Sequence, residues 1–232
     1  MAIITRYVNT ASSGGDGTTN ATSGANAAYA SLNVWEAAEQ QDLTDAGGDI
    51  MEVICEGSAA DTTAVVVDGW TTNATSYIRI YTTQANRHDG KWNTSKYRLE
   101  AVGITTSGIL KIVESYVRVE YVQFAVNRNA TNSAHCLYLS PTSTGEIYVS
   151  NCIIKATGTA ARFSAGVLID KSCYYYIWNN IVYDFKQTPN ADERGILISA
   201  GVTYLYNNTV DSCDYGIWRS AGTVTAINNL VN

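Results

Sequence analysis

The sequence predicts an all-β chain, a single-stranded parallel β-helix (solenoid) with an N-terminal capping α-helix, and three observations carry the prediction. The first is a repeat in the last third. Gly166-Val167-Leu168-Ile169 leads to Tyr176-Ile177-Trp178-Asn179-Asn180, Gly195-Ile196-Leu197-Ile198 to Tyr204-Leu205-Tyr206-Asn207-Asn208, and Gly216-Ile217-Trp218 to Thr225-Ala226-Ile227-Asn228-Asn229. Weaker copies stand upstream, His135-Cys136-Leu137 before Ile147-Tyr148-Val149-Ser150-Asn151 and Gly108-Ile109-Leu110 before Val117-Arg118-Val119-Glu120-Tyr121. With Tyr121, Asn151, Asn180, Asn208 and Asn229 as closing positions, the steps are 30, 29, 28 and 21 residues. A period of this size with short β-type runs suits stacked coils, because one coil cannot bury its apolar side chains and a stack lines them into a common core. The second observation is composition and the third a single isolated helical pattern.

At 232 residues the chain is long enough for one domain with a sizeable core. Its 18 Gly and 16 Tyr, with abundant Thr, Asn and Val, are the composition of a β-rich chain. Charged residues make up 16% and the net charge is −6, the reverse of a surface that neutralises phosphates, so no nucleic-acid partner is expected. No run of 18 apolar residues occurs, so no spanning helix and no membrane partner is expected. The opening Met1-Ala2-Ile3-Ile4-Thr5-Arg6-Tyr7 lacks a basic head followed by an apolar run, which predicts no Sec-type signal. Cys55, Cys136, Cys152, Cys173 and Cys213 are odd in number and include no CxxC. They read as free thiols in a solenoid core, made in a reducing cytosol, and their spacings fit no metal site; no cofactor is expected.

In chain order, residues 1–48 are expected to form an N-terminal arm and a capping helix, and residues 49–232 a β-helix of about six coils. Residues 9–30 are rich in Gly, Ser, Thr, Asn and Ala, an irregular segment. Ser31 is placed to cap a helix over 32–43, with apolar residues at 32, 35, 38 and 43 and Ala46-Gly47-Gly48 beyond its end. Its expected place is over the open N-terminal end of the stack. Ile50–Cys55, Ala64–Val67 and Tyr77–Tyr81 read as the three sides of a first coil, with Glu56-Gly57 and Asp68-Gly69 as turns. Thr82 to Lys96 is a polar excursion containing His88-Asp89-Gly90-Lys91-Trp92. Asn151, Asn180, Asn208 and Asn229 are expected to form a ladder, since a carboxamide can donate to one coil and accept from the next.

The cap helix, the Gly-Ile-x-Ile and x-Val-x-Ile-x-Asn-Asn runs and the Asn column resemble right-handed parallel β-helix proteins of the pectate-lyase-like superfamily. The segment Tyr7-Val8-Asn9 through Gly14-Gly15-Asp16-Gly17, with Ala28-Tyr29-Ala30-Ser31-Leu32 and Trp35-Glu36, looks like the opening of β-helix proteins encoded by tailed bacteriophages. The first resemblance covers about residues 49–232 and implies a fold. That fold hosts lyases, hydrolases, isomerases and inert virion parts, so it assigns no activity by itself.

Enzymes of this superfamily that cleave acidic polysaccharides use clustered carboxylates, with a basic residue or calcium, or paired carboxylates. If the chain is an enzyme, Asp170, Asp192, Glu193 and Arg219 are the candidates. Asp192 and Glu193 belong to the charged loop 184–194, and Asp170-Lys171 could meet Asp211, Asp214 and Arg219 if coils stack in register. A solvated loop and turn residues explain both groups without catalysis, and the expectation is no enzyme. His88 and His135 have no evident nucleophile partner. Counting inward from the ladder by the strand period of two puts Trp178 and Tyr206 in the core with Val119, Val149 and Ile227, and leaves Tyr148 and Tyr183 as candidate carbohydrate binders.

The row Leu110, Leu137, Leu168, Leu197 and Trp218 adjoins the row Ile109, Cys136, Val167, Ile196 and Ile217. Neighbours on a strand point to opposite sides, so one apolar row is expected outside as an interface. The expected function is therefore a non-enzymatic virion component of a tailed phage, a head decoration or tail-associated spike. It would be a homo-oligomer, a trimer of rods as the expected form, with other virion proteins and surface polysaccharide as further partners. A polysaccharide-degrading enzyme and a carbohydrate-binding adhesin are the competing readings.

Overall fold

Short alternating strands leave backbone groups on both edges, and in this chain the strands between the two ends of the stack satisfy them by pairing with their equivalents one coil before and one coil after. The computed structural model describes residues 2–102, 108–128, 133–158, 163–186 and 192–232. An eight-stranded sheet runs β1 (Ala2–Asn9), β2 (Asp49–Glu56), β5 (Ile78–Tyr81), β8 (Val117–Glu120), β11 (Glu146–Ser150), β14 (Tyr174–Trp178), β17 (Val202–Tyr206) and β20 (Thr223–Ile227). A seven-stranded sheet runs β3 (Ala60–Asp61), β6 (Arg98–Val102), β9 (Gln123–Asn127), β12 (Ile153–Thr157), β15 (Ile181–Tyr183), β18 (Thr209–Asp211) and β21 (Leu230–Val231). A six-stranded sheet runs β4 (Val65–Val67), β7 (Gly108–Ile112), β10 (His135–Leu139), β13 (Ala165–Ile169), β16 (Arg194–Ile198) and β19 (Tyr215–Arg219). The described pairs are parallel, and each coil visits the three sheets in that order. This is a parallel β-helix. Six coils run from β2 through β19, and β20 and β21 begin a seventh.

The core is the sum of the inward rows. In the eight-stranded sheet Val53, Ile80, Val119, Val149, Ile177 and Leu205 lie in register and are fully buried. Val65, Leu110, Leu137, Val167 and Ile196 form the facing row of the six-stranded sheet, and Leu99, Phe124, Ile154, Val182 and Val210 that of the seven-stranded sheet. The repeated Gly has a packing reason: a Cβ on Gly195 would stand 2.3 Å from a Val210 methyl and 2.6 Å from the Gly216 carbonyl. Gly166 meets Val182 and the Gly195 carbonyl in the same way.

The first coil differs from its sequence reading. Tyr77–Tyr81 pairs with β2 and so opens the second coil, and the missing side is the two-residue β3. A strand that short carries too little periodicity to be read. The segment expected as an arm supplies β1, paired with β2 through all eight residues.

Helix α1 (Leu32–Glu39) begins as expected, with the Ser31 hydroxyl accepting from Val34 N at 3.2 Å. It ends earlier, because Gln40 turns to ψ 124°. Trp35 is fully buried against Trp70, ring centres 5.5 Å apart, and Asp61 accepts the Leu32 N–H at 2.7 Å. These contacts fasten the helix to the first coil.

Candidate functional site

Alternation that buries one face of the eight-stranded sheet turns the other outward, and that outer face is aromatic. Glu52, Arg79, Arg118, Tyr148, Tyr176, Tyr204 and Thr225 form one outer row, and Tyr81, Glu120, Ser150, Trp178, Tyr206 and Ile227 the next. Tyr148 stacks on Tyr176 with ring centres 4.8 Å apart, and Tyr176 on Tyr204 at 5.1 Å, each pair within 10° of parallel. The Arg118 guanidinium extends the column, 3.8 Å from the Tyr77 ring centre and 5.2 Å from that of Tyr148. Trp178 stands edge-on to Tyr148 at 6.0 Å. Arg79 bridges Glu52 at 2.9 Å and Glu120 at 2.7 Å while lying 4.1 Å from the Tyr81 ring centre. Such stacks and cation–π contacts contribute roughly 0.5–1.5 kcal/mol each and fix the side chains in place. Because the rings of the column face one another, Tyr148 and Tyr176 present edges and hydroxyls outward, with Tyr148 Oη donating to Glu146 at 2.6 Å. No lysine occurs on any strand of this sheet.

Trp178, Tyr206 and Ile227, expected in the core, are therefore on the outside, in register with Ser150. The error is one of phase. Asn151 aligns with Asn179, Asn207 and Asn228, and all four adopt left-handed backbone, φ 55°, 57°, 53° and 55°, as does Tyr121 at 60°. The buried column is the next residue: Asn180 Nδ2 donates to Asn208 Oδ1 at 3.0 Å, and Asn208 Nδ2 to Asn229 Oδ1 at 2.9 Å. Asn151 is not in that ladder. Cys152 holds the equivalent place, and its N–H donates to Asn180 Oδ1 at 2.9 Å.

The leucine row is likewise split. Leu110 and Leu137 are fully buried, in register with Val167, whereas Leu168, Leu197 and Trp218 continue the outer row that runs from Val66 through Lys111 and Tyr138. Trp218 is 39% exposed, and the Arg194 guanidinium lies 5.5 Å from its ring centre.

The four candidate catalytic residues do not converge. Asp170 follows β13 and accepts from the Tyr138 hydroxyl, whereas Glu193 precedes β16 at the other end of the same sheet, a separation of roughly 20 Å at the strand rise. Asp192 is exposed and pairs with Arg194 at 2.6 Å. Arg219, also exposed, continues the row of Ile169 and Ile198. Asp211 bonds Ser212 and Asn232, and Asp214 accepts from Glu193 N at 3.2 Å. Residues 187–191 of the charged loop lie outside the described residues. Tyr183 is half-buried on the outer side of the seven-stranded sheet, beside Lys155. Glu193 is fully buried and accepts from the Ser164 hydroxyl, and burial pushes its carboxyl up to about 7 although Arg128 opposes this from 3.4 Å. Arg128 also donates to the carbonyls of Gly158 at 2.9 Å and Lys186 at 3.2 Å, tying successive coils at one corner. This is the geometry of a structural clasp.

Sequence reasoning missed Arg128, Arg118 and the outward phase of the aromatics. The available signal was the single Asn of the fourth coil, Ser150-Asn151-Cys152, since Asn tolerates the left-handed turn better than most residues. Aligning that turn residue with the first Asn of each later pair gives the correct parity. Among the described residues no group of three or more His, Cys, Asp or Glu is placed to hold a metal ion. Compared with known proteins, the chain matches no family model, no curated protein and no solved structure.

Proposed function

We propose that the protein is a non-enzymatic structural β-helix, a virion component of a tailed phage of the head-decoration or tail-spike kind, which associates side by side with further copies of itself. The observation that carries the association is the outer face of the eight-stranded sheet, rich in Tyr, with Trp178, Arg79 and Arg118 and no lysine. Protein interfaces are enriched in Tyr, Trp and Arg and depleted in Lys, and a preformed stack loses little side-chain freedom when covered. Glu52, Glu120 and Glu146 lie among the arginines, so the face carries both signs and is compatible with a second copy of itself. Eight strands at about 4.8 Å and five residues at about 3.3 Å give a footprint of roughly 600 Å², below the roughly 800 Å² per partner of a standard interface. A single pairwise contact of that size is weak, which suits subunits held close together on a particle. The phage assignment rests on the resemblance of the N-terminal segments.

Light scattering across a concentration series tests the association. Wild type is expected to gain mass with concentration, and the double variant Tyr176→Ser, Tyr204→Ser to stay monomeric with its fold retained. A monomeric wild type, or a variant that associates equally, overturns it. Stoichiometric copies in purified particles test the virion assignment.

A further inference from the structure

Residues 82–97, between β5 and β6, leave the coil and are strapped over the two coils that follow. Thr82 Oγ1 donates to Tyr121 O at 2.8 Å, Asn93 N donates to Gln123 Oε1 at 2.7 Å, and Gln123 Nε2 returns a bond to Asn93 O at 2.9 Å. Further on, the Lys155 ammonium lies 4.0 Å from the Trp92 ring centre and His88 Nε2 stands 2.9 Å from Asn151 O. The Gly90 N–H donates to His88 Nδ1 at 3.2 Å, so Nδ1 is the acceptor and Nε2 carries the proton given to Asn151. Burial lowers the His88 pKa, in keeping with a neutral ring. His88 is a pin for the strap, with both nitrogens engaged.

Where the strap overhangs the corner, it borders an open cleft of about 300 Å³, lined by Arg87, His88 and Asp89 on one side and Tyr121, Asn151 and Asn179 on the other. That volume is at the lower end of small-molecule sites, ~300–1,000 Å³. Arg87 lies over the Tyr121 ring, 4.4 Å from its centre. Asn179 Nδ2 is 3.4 Å from Asn151 Oδ1, so the pair still offers the Asn151 amide donor and the Asn179 carbonyl acceptor. One guanidinium, one carboxylate and two carboxamides interleave donors and acceptors with no net charge. One carboxylate with two neutral carboxamides beside a guanidinium carries no net negative charge to hold a divalent cation, and a carboxylate beside the one arginine disfavours phosphate. A neutral polyhydroxyl compound, whose every hydroxyl both donates and accepts, matches this lining.

We propose that the strap cleft binds one neutral sugar unit, with Asp89 and the Asn151–Asn179 pair taking its hydroxyls. The site lies at the corner, beside the aromatic face, and does not depend on lateral association. Saturation-transfer NMR and titration of the full chain with glucose, galactose, mannose and N-acetylglucosamine, with inorganic phosphate and calcium as counter-probes, test it. At least one neutral sugar is expected to bind saturably, and Asp89→Ala to weaken it about tenfold or more, the loss of one hydrogen bond to a charged group, with the melting temperature unchanged. Absence of saturable binding by every sugar overturns the proposal. So does binding indifferent to both Asp89→Ala and Arg87→Ala, or phosphate or calcium taking the site in their place. Molar mass measured on the same samples reports lateral association separately.

Discussion

The Arg128 guanidinium meets the Glu193 carboxylate at 3.4 Å with the two side chains only 5% and 0% exposed. Burial dominates the carboxyl, raising it from 4.5 to about 7. The folded state therefore holds a proton that the unfolded chain releases, so the contribution of this group is fully present below about 4.5 and is lost as pH rises through about 7. Melting temperatures of wild type and Glu193→Gln, compared from about pH 5 to about pH 8, are expected to diverge, wild type losing on the order of 1–3 kcal/mol relative to the variant. Parallel curves would refute the assignment.

Asn208 is bonded on every side: it accepts from Asn180 N at 3.1 Å and Nδ2 at 3.0 Å and donates to Ile177 O at 2.9 Å. Truncation leaves those buried groups unpaired. Asn208→Ala is expected to cost about 2–4 kcal/mol in urea unfolding, against about 1 kcal/mol for Asn207→Ala, whose exposed residue contributes mainly its left-handed turn.

The Trp35–Trp70 stack joins the cap helix to the first coil. Trp35→Ala is expected to cost about 3–5 kcal/mol and to expose amides of β2 and β4 to hydrogen exchange before those of β14. Uniform exposure along the rod would argue against a capping role.

Protonating His88 would put an N–H on Nδ1 facing the Gly90 N–H. With its folded pKa lowered below 6.5, the neutral ring supports the strap fully above about 6.5, and that support is lost as pH falls through the folded value. After correction for the intrinsic pH dependence of exchange, protection at the Gly90 amide is expected to be lost as pH falls below about 6.5, and His88→Gln should remove the transition. An unchanged profile in the variant would assign the effect elsewhere.

The sequence by itself determined the solenoid. A motif recurring at nearly constant spacing, with β-type runs and a Gly where two sheets approach closely, leaves stacked coils as the way to bury the apolar rows, and Ser31 marked the start of the cap. What only the tertiary structure decided was phase and convergence. A strand has a period of two, so taking Asn180 instead of Asn179 as the partner of Asn151 turned Trp178 and Tyr206 inward on paper and hid the outer aromatic face. Which distant groups meet was beyond reach for a different reason. Arg128 and Glu193, or His88 and Asn151, are separated by 65 and 63 residues, and their contacts follow from coil register and from the path of a strap that carries no periodic signal.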